Sequence, residues 1–503
     1  MKLGKLRPNS APGPDKIYPR ILHGMREQLA IPLAILFNRC LAEGFVPSEW
    51  RVANVTPIFK KGSKTDPGNY RPVSLTSAVC RVLESLLRDW IVSHLSLHSL
   101  INKSQHGFVP NRSCLTNLLE YLEEMTDLVD KGHAVDVFYL DFAKAFDKVP
   151  HVRLMSKVRA HGITGQVANW IEQWLFGREQ RVVLNGTAST WKPVFSGVPQ
   201  GSVLGPILFV IFIDDIDNVV NAAGLFLSKF ADDTKAGRIV DTDEQAAMLQ
   251  KDLDCLAQWA TTWQMAFNVS KCKVLHLGRN NQNRNYTMSG KQLLVTEEEK
   301  DLGVMIQSSL KPGAQVAKAA KRANQVLGQI AHAFTYKDKV HFIKLYKTYV
   351  RCHLEYAVQS WCPYLEKDKK VLEAVQQRAI RMTSGLTGTY EQKLAQVGLT
   401  TLGDRRVRGD LIQTYMILHQ VDDIPVSTFF EVAGAHHSHS TRLADPTQGE
   451  SVSMNLSTPN GGCELRRNFF SHRVVEGWNS LPTNVKWATN VNNFKNLYDK
   501  HIS

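Results

Sequence analysis

The stretch from Leu225 to Val240 is apolar and strand-like on both sides of Phe230-Ala231-Asp232-Asp233. That pattern predicts a β-hairpin with both acids at its turn. Side-by-side Asp residues repel each other, so a fold gains nothing from clustering them unless a cation sits there. A hard divalent cation prefers carboxylate oxygens and needs few of them when substrate phosphates supply the rest. Taken alone, Asp-Asp reads equally well as a polar turn. The weight of the motif therefore rests on whether another carboxylate accompanies it.

Asp141 is that carboxylate. Val135-Asp-Val-Phe-Tyr-Leu140 is a compact run rich in β-branched and aromatic residues and reads as a buried strand, with Asp141 at its C-terminal end. Ligands of layered α/β folds bind at such strand ends. Asp232 follows 232 − 141 = 91 residues later, a separation that suits neighbouring strands of one sheet joined by inserted structure. Three acids from two adjacent elements suit two Mg²⁺ ions about 4 Å apart, the arrangement that activates an attacking hydroxyl and stabilises the leaving oxygen in phosphoryl transfer. Between the acids lies the segment Ser196 to Phe209, whose Gly197, Gly201 and Gly205 permit close backbone approach to a flat ligand and whose Gln200 offers hydrogen-bond donors. The apolar run Ile207–Ile213 is expected to form a helix beneath it.

At 503 residues the chain exceeds one ordinary core, so two to four domains are expected. Its 43% hydrophobic and 21% charged residues are those of a globular protein, with no apolar run of membrane-spanning length and no secretory signal in residues 1–30. The formal net charge of +13 points to a polyanionic partner, most simply nucleic acid. The eight cysteines are scattered without a Cys-x-x-Cys pair, which favours reduced thiols over a zinc module or disulfide framework. His436, His437 and His439 sit among Ala, Gly, Ser and Thr and read as a loop.

Coarse patterning predicts helices over 18–44 and 76–100, and a strand over 52–59 leading to the basic turn 60–64. Leu249, Leu253, Leu256, Ala260 and Trp263 form one helical face, with capping candidates at Asp241, Thr242 and Asp243. From about 313 the chain reads as helical. Val316, Ala320, Ala323, Leu327, Ile330 and Phe334 make one stripe, with Lys318, Lys321 and Arg322 off it. Further helices are expected over 338–361 and 367–384. Residues 431–465 read as a flexible loop, and 466–503 return to an apolar-aromatic pattern.

In order and spacing, the blocks Phe138–Asp147, Ser196–Ser202 and Phe230–Asp233 resemble reverse transcriptases, and more narrowly those of non-LTR (LINE) retrotransposons of the jockey and chicken-repeat type. Supporting blocks run along most of the chain: Ser10–Asp15, Asn69–Leu75, Gln105–Phe108 with Arg112–Thr116, Phe267–Lys273, Glu299–Val304, Leu354–Tyr356, Phe469–Val475 and Trp478–Pro482. Phe230 departs from the pattern, where Tyr is more frequent, and the C-terminal region shows no Cys/His knuckle. Relatives of this kind carry an apurinic-type endonuclease upstream. Nothing in this chain resembles it, so the chain is expected to start at the edge of the polymerase region.

The resemblance implies an α+β right-hand polymerase: fingers over 1–130 with 150–190 contributing, a palm with an antiparallel sheet over 131–305, a helical thumb over 306–395, and a helical C-terminal domain over 396–503. It implies RNA-directed DNA synthesis, joining deoxynucleotides from dNTPs to a primer 3′-hydroxyl. Asp141, Asp232 and Asp233 would hold two Mg²⁺ ions, with Mn²⁺ as a substitute, aided by the Phe142 carbonyl. Phe146 falls where the family keeps an aromatic gate against the sugar 2′ position. Gln200 and Gly201 would lie beside the incoming nucleotide, Lys60 and Arg71 against its triphosphate, and Lys271 where the pyrophosphate leaving group takes up a proton. Asp147 is expected to stabilise local structure. Implied partners are an RNA template, a DNA primer and their duplex, with no membrane. The basic thumb face and Arg405, Arg406 and Arg408 are candidate grips on that duplex. Target-primed insertion would require nuclear access. A catalytically inactive nucleic-acid-binding remnant, or another palm-type enzyme such as a cyclase or DNA-templated polymerase, are the competing readings. Oligomeric state is not fixed by the sequence.

Overall fold

The computed structural model describes residues 2–220, 224–433, 454–458 and 461–502. The strands that position the site are β1 (Val52–Phe59), β2 (Tyr70–Leu75), β3 (Val135–Leu140), β4 (Arg178–Leu184), β5 (Leu225–Phe230), β6 (Asp233–Ile239), β7 (Lys273–Leu277) and β8 (Leu294–Thr296). The central sheet runs β8-β7-β3-β6-β5. Its pairings are antiparallel except β8 with β7, which is parallel. A smaller sheet joins β2, β1 and β4, with β1 antiparallel to β2 and parallel to β4. The 150–190 segment is thereby tied to the N-terminal part of the chain.

β3 is the middle strand of the central sheet, and its side chains alternate between two cores as the strand period requires. Phe138 and Leu140 enter one core; Val135 and Val137 enter the other. The first core collects α1 (Pro19–Gly24), α2 (Arg26–Glu43), α3 (Ala78–Leu97), α5 (Gly205–Ile213) and α6 (Asp243–Thr262). The second collects α4 (Cys114–Asp130), α7 (Gly313–Ala333), α8 (Glu366–Met382), α9 (Leu402–Leu418) and the C-terminal aromatics Phe470, Trp478 and Phe494. Hence α4, though it precedes β3, shares its core with the C-terminal half. Asp136, read as one letter of an apolar run, is fully buried and accepts from His276 Nδ1 at 2.6 Å, Asn281 Nδ2 at 2.7 Å and the Tyr286 hydroxyl at 2.6 Å.

Helix signals read from the sequence place α3, α6 and α8 closely, and Thr242 caps α6 in a capping box with Gln245. Three expectations are corrected. Phe334 does not extend its stripe: it lies just past the end of its helix and is exposed, whereas Trp263, also just past its helix, still packs against the core that Leu249, Leu253, Leu256 and Ala260 enter. The 338–361 helix runs unbroken over 341–355, with a π turn at Tyr346–Val350, and is then interrupted at Tyr356 and at Ala357, whose φ is +50°. There the Tyr356 hydroxyl donates to the distant Leu302 carbonyl at 2.8 Å, a tertiary bond that overrides local propensity, and Trp361 Nε1 donates to the nearby Tyr356 carbonyl at 2.9 Å. The 431–465 segment is not wholly loose: Met454 and Leu456 are buried, Val432 bridges Leu456, and Trp478 Nε1 donates to the Met454 carbonyl at 2.8 Å. Residues 434–453, with the histidine cluster, lie outside the described residues. All eight cysteines are free. Among the described residues no helix is long and apolar enough to cross a membrane.

Candidate active site

The two acids stand where the sequence puts them. β5 and β6 form a tight hairpin in which Phe230 pairs with Asp233, leaving Ala231 and Asp232 as the turn. Ala231 adopts φ +56°, a left-handed conformation costly for a residue with a Cβ. What holds it is a strap from residues 104–107. Gln105 Oε1 accepts the N–H groups of both Ala231, at 2.9 Å, and Gly107, at 2.7 Å. The backbone of Lys229 exchanges bonds with Ser104 and His106. Gly107 has to be glycine, because a Cβ there would come within 2.2 Å of the Ala231 nitrogen.

Buried cations hold the hairpin strands from beneath. Lys229, fully buried, pairs with Asp217 and donates to the Asp214 carbonyl at 3.2 Å. Lys235 Nζ reaches Asp301 Oδ2 at 2.6 Å and Asn117 Oδ1 at 2.7 Å. Burial is affordable for these amines only because each has a carboxylate and a second acceptor.

Asp141 sits next to the hairpin because β3 pairs with β6, Leu140 opposite Thr234. The backbone beyond β3 is fixed by two bonds, Asn268 N–H to the Asp141 carbonyl at 2.7 Å and Ala143 N–H to the Ala266 carbonyl at 2.8 Å. Phe142 between them stacks on Phe267, ring centroids 4.2 Å apart. Lys271 Nζ lies 2.9 Å from Asp141 Oδ2. The lysine therefore supplies the positive charge at Asp141.

The carboxylates feel one another. Burial, then Asp232, Asp301 and Asp141, push Asp233 up to about 6. Much of the Asp233 surface is open to solvent, which screens part of that effect. Asp232 is raised by burial and by Asp141, while its own backbone N–H, Lys60 and Arg71 pull it back. Among the described residues no three His, Cys, Asp or Glu side chains are gathered into a ready cage. Mutual repulsion among hard oxygen donors nevertheless fits a hard divalent cation held by one or two carboxylates plus substrate phosphates rather than by an all-protein cage.

The glycine-bearing loop closes the other side. The Gln200 carbonyl accepts Ser74 N–H of β2 at 2.7 Å. Gly201 has φ +111°, and a Cβ on it would meet the Ser74 oxygen at 2.7 Å. The loop is thus laced to the strand that carries Arg71. Gln200 Nε2 donates to Asp147 Oδ1 at 2.9 Å, so Asp147 is occupied in fixing the loop. Phe146 stacks on Phe209 at 4.5 Å and meets the edge of Phe108 at 6.4 Å. Phe108 is 49% exposed and has φ +60°, a strained conformation of the kind that clusters at functional sites. Gln105 and Phe108 were visible in the sequence only as part of the Gln105–Phe108 block. Gln105 meets the hairpin across 126 residues and Phe108 meets Phe146 across 146 − 108 = 38, so neither contact is local.

The candidate grips divide. Lys321 and Arg322 are exposed on α7, whereas Lys318 Nζ is spent on the Gly303 carbonyl at 2.8 Å. Arg405 pairs with Glu355 and Arg408 with Asp499, and Arg406 is buried, so that run does not form a free surface.

A central antiparallel sheet with three carboxylates at a strand end and hairpin turn, a glycine loop facing them and helices behind is the palm of a right-hand polymerase. The chain belongs to the family described as reverse transcriptase (RNA-dependent DNA polymerase), which matches residues 58–330. It is 28% identical over 397 residues to the RNA-directed DNA polymerase from mobile element jockey of Drosophila funebris, covering 76% of this chain and 43% of that protein. It is 25% identical over 388 residues to the probable RNA-directed DNA polymerase from transposon X-element of Drosophila melanogaster, covering 75% and 42%. The chain thus spans less than half the length of these relatives. Among solved structures, an apo telomerase from Candida tropicalis, truncated from its C-terminal domain, covers 55% of this chain at 11% identity with a TM-score of 0.37, too loose a likeness to bear on the site.

Proposed function

We propose that this chain is the polymerase portion of a non-LTR retrotransposon enzyme, carrying out RNA-directed DNA synthesis from dNTPs on a primer 3′-hydroxyl. The observation that carries the proposal is the strand pairing that sets Asp141 beside the turn bearing Asp232 and Asp233, with the charges of Lys60 and Arg71 felt at Asp232. Asp141, Asp232 and Asp233, with the Phe142 carbonyl, would hold Mg²⁺ (or Mn²⁺). The bound ions would acidify the primer hydroxyl and neutralise the phosphates.

The chain's own residues do the rest. Arg71 and Lys60 receive the triphosphate, Arg through its rigid fork of donors. Phe146, locked against Phe209, stands as the wall that a ribose 2′-hydroxyl would strike. Gln200 and Gly201 bring the loop backbone to the nucleotide. Lys271, whose ammonium lies beside Asp141, would give its proton to the leaving pyrophosphate. Base pairing supplies sequence information, so the protein needs only backbone contacts to an RNA–DNA duplex. Lys321 and Arg322 on α7 are placed for such contacts. In this reading residues 1–130 with 150–190 are fingers, 131–305 palm, 306–395 thumb and 396–503 a C-terminal domain, and the place of work is the nucleus.

The test is dNTP incorporation on a poly(rA)/oligo(dT) duplex with Mg²⁺. Incorporation by the purified chain that disappears in an Asp232→Asn/Asp233→Asn double variant is the expected result. Incorporation no greater than that of the double variant sinks the proposal.

A further inference from the structure

Outside the family-matched stretch, α8, α9 and the segment 468–477 enclose a cavity of about 300 Å³. Val407, Leu411 and Val474 give it an apolar wall, and Tyr364 lines its side. Lys369, Arg406 and Arg473 also face it, with Asp410 as the acid among them. Two of the cations already have partners. Arg473 forks onto both oxygens of Asp410 at 2.9 Å and donates further to the Asn468 and Gln359 carbonyls. Lys369 pairs with Glu366 at 2.8 Å.

Arg406 is different. It is 8% exposed, and although its charge is felt at Asp410 and Glu366 it makes no hydrogen bond or close ion pair with any described residue. Its neighbours Arg405 and Arg408 are both paired with carboxylates. Asp410, the acid of the cavity, has both oxygens taken by Arg473. A guanidinium carries five donors in a fixed fork that matches an oxyanion, and none of the Arg406 nitrogens is sealed from solvent, so the fork is open to a ligand that enters the cavity. The space is that of a small-ligand pocket, wide enough for one nucleotide and too small for a duplex.

We propose that this cavity binds a single nucleotide, its phosphate on the Arg406 fork and its base along the Tyr364 side. The nucleotide comes either free in solution or as the 5′-phosphorylated end of a strand. The site is separate from the polymerase palm, and the proposal does not rest on the chain being an active polymerase.

The experiment uses the full chain in EDTA, so that no metal-held nucleotide contributes. One arm titrates N-methylanthraniloyl-AMP by fluorescence. The other compares 3′-fluorescein decathymidylates bearing a 5′-phosphate or a 5′-hydroxyl by anisotropy. Arg406→Gln is expected to weaken binding of the preferred phosphate probe at least tenfold, while Lys251→Gln, an exposed cation on α6, leaves it unchanged. A preference for the 5′-phosphorylated strand assigns the ligand to a strand end; binding of the AMP probe alone assigns it to a free nucleotide. Should Arg406→Gln fail to melt cooperatively, Arg406→Lys, which keeps the charge and loses the fork, replaces it with the same expected direction. Failure of every phosphate probe to bind at millimolar concentration overturns the proposal, and so does an Arg406 variant that binds like the parent.

Discussion

Replacing Asp233 by Asn should make the metal-free protein more stable at pH 8. The carboxyl of Asp233 is raised from an ordinary 3.8 to about 6 by burial and by Asp232, Asp301 and Asp141. An acid whose folded pKa lies above its unfolded pKa contributes stability below the unfolded value, and that contribution is lost as pH rises through the folded value. The window here is therefore roughly pH 4 to 6. Taken at face value, a rise from 3.8 to about 6 corresponds to about 3 kcal/mol. Asp233 is exposed over much of its surface, so solvent screening leaves about 1 kcal/mol. In a domain of this size that is about 2 °C in Tm. Thermal melts of parent and Asp233→Asn in EDTA at pH 3.5, 6 and 8 read the effect: near-coincident curves at pH 3.5, below the unfolded pKa, with the variant ahead by about 2 °C at pH 8. Magnesium should reverse the order, since a ligand at ten times its Kd contributes on the order of 1.4 kcal/mol to the form that binds it. A variant less stable than the parent at pH 8 in EDTA, or a gain that does not vanish toward pH 3.5, would refute the reasoning that these acids repel one another.

Gln105→Ala leaves the Gly107 and Ala231 N–H groups without their shared acceptor, at about 1–3 kcal/mol for an unsatisfied buried donor. Melts should fall, and primer extension should fall further, because the turn bearing Asp232 loosens; Gln105→Glu, which keeps the acceptor, should retain more of both. Asp301→Ala strips Lys235 of its carboxylate in a site where both side chains are 5% exposed. The expected loss is about 3–5 kcal/mol by urea denaturation, and Asp301→Ala paired with Lys235→Met should recover part of it.

Tight local elements were legible in the sequence because their determinants are local. The apolar run 135–140, the acid pair between two strand-like runs and the Thr242 box with Gln245 each carry period, turn and cap chemistry within a few residues. Positions that depend on distant partners were misread. Tyr356 and Ala357 break a helix because Tyr356 bonds Leu302, and Met454 and Leu456 leave a polar segment to join the core under Trp478. Basic letters at Arg405, Arg406 and Arg408 looked like one charged face, yet two are paired and the third is turned into a cavity.

For the site itself, the sequence alone determined the identity, order and hairpin setting of Asp141, Asp232 and Asp233, since side-chain chemistry and the two-residue turn are written in consecutive residues. The tertiary structure decided how those acids are held: Gln105 clamping Ala231, Lys235 bound to Asp301, Lys271 resting on Asp141, and Phe108 closing on Phe146. Each of these joins residues far apart in the chain, and no local period or propensity reports which pairs the packed sheet will bring within hydrogen-bonding distance.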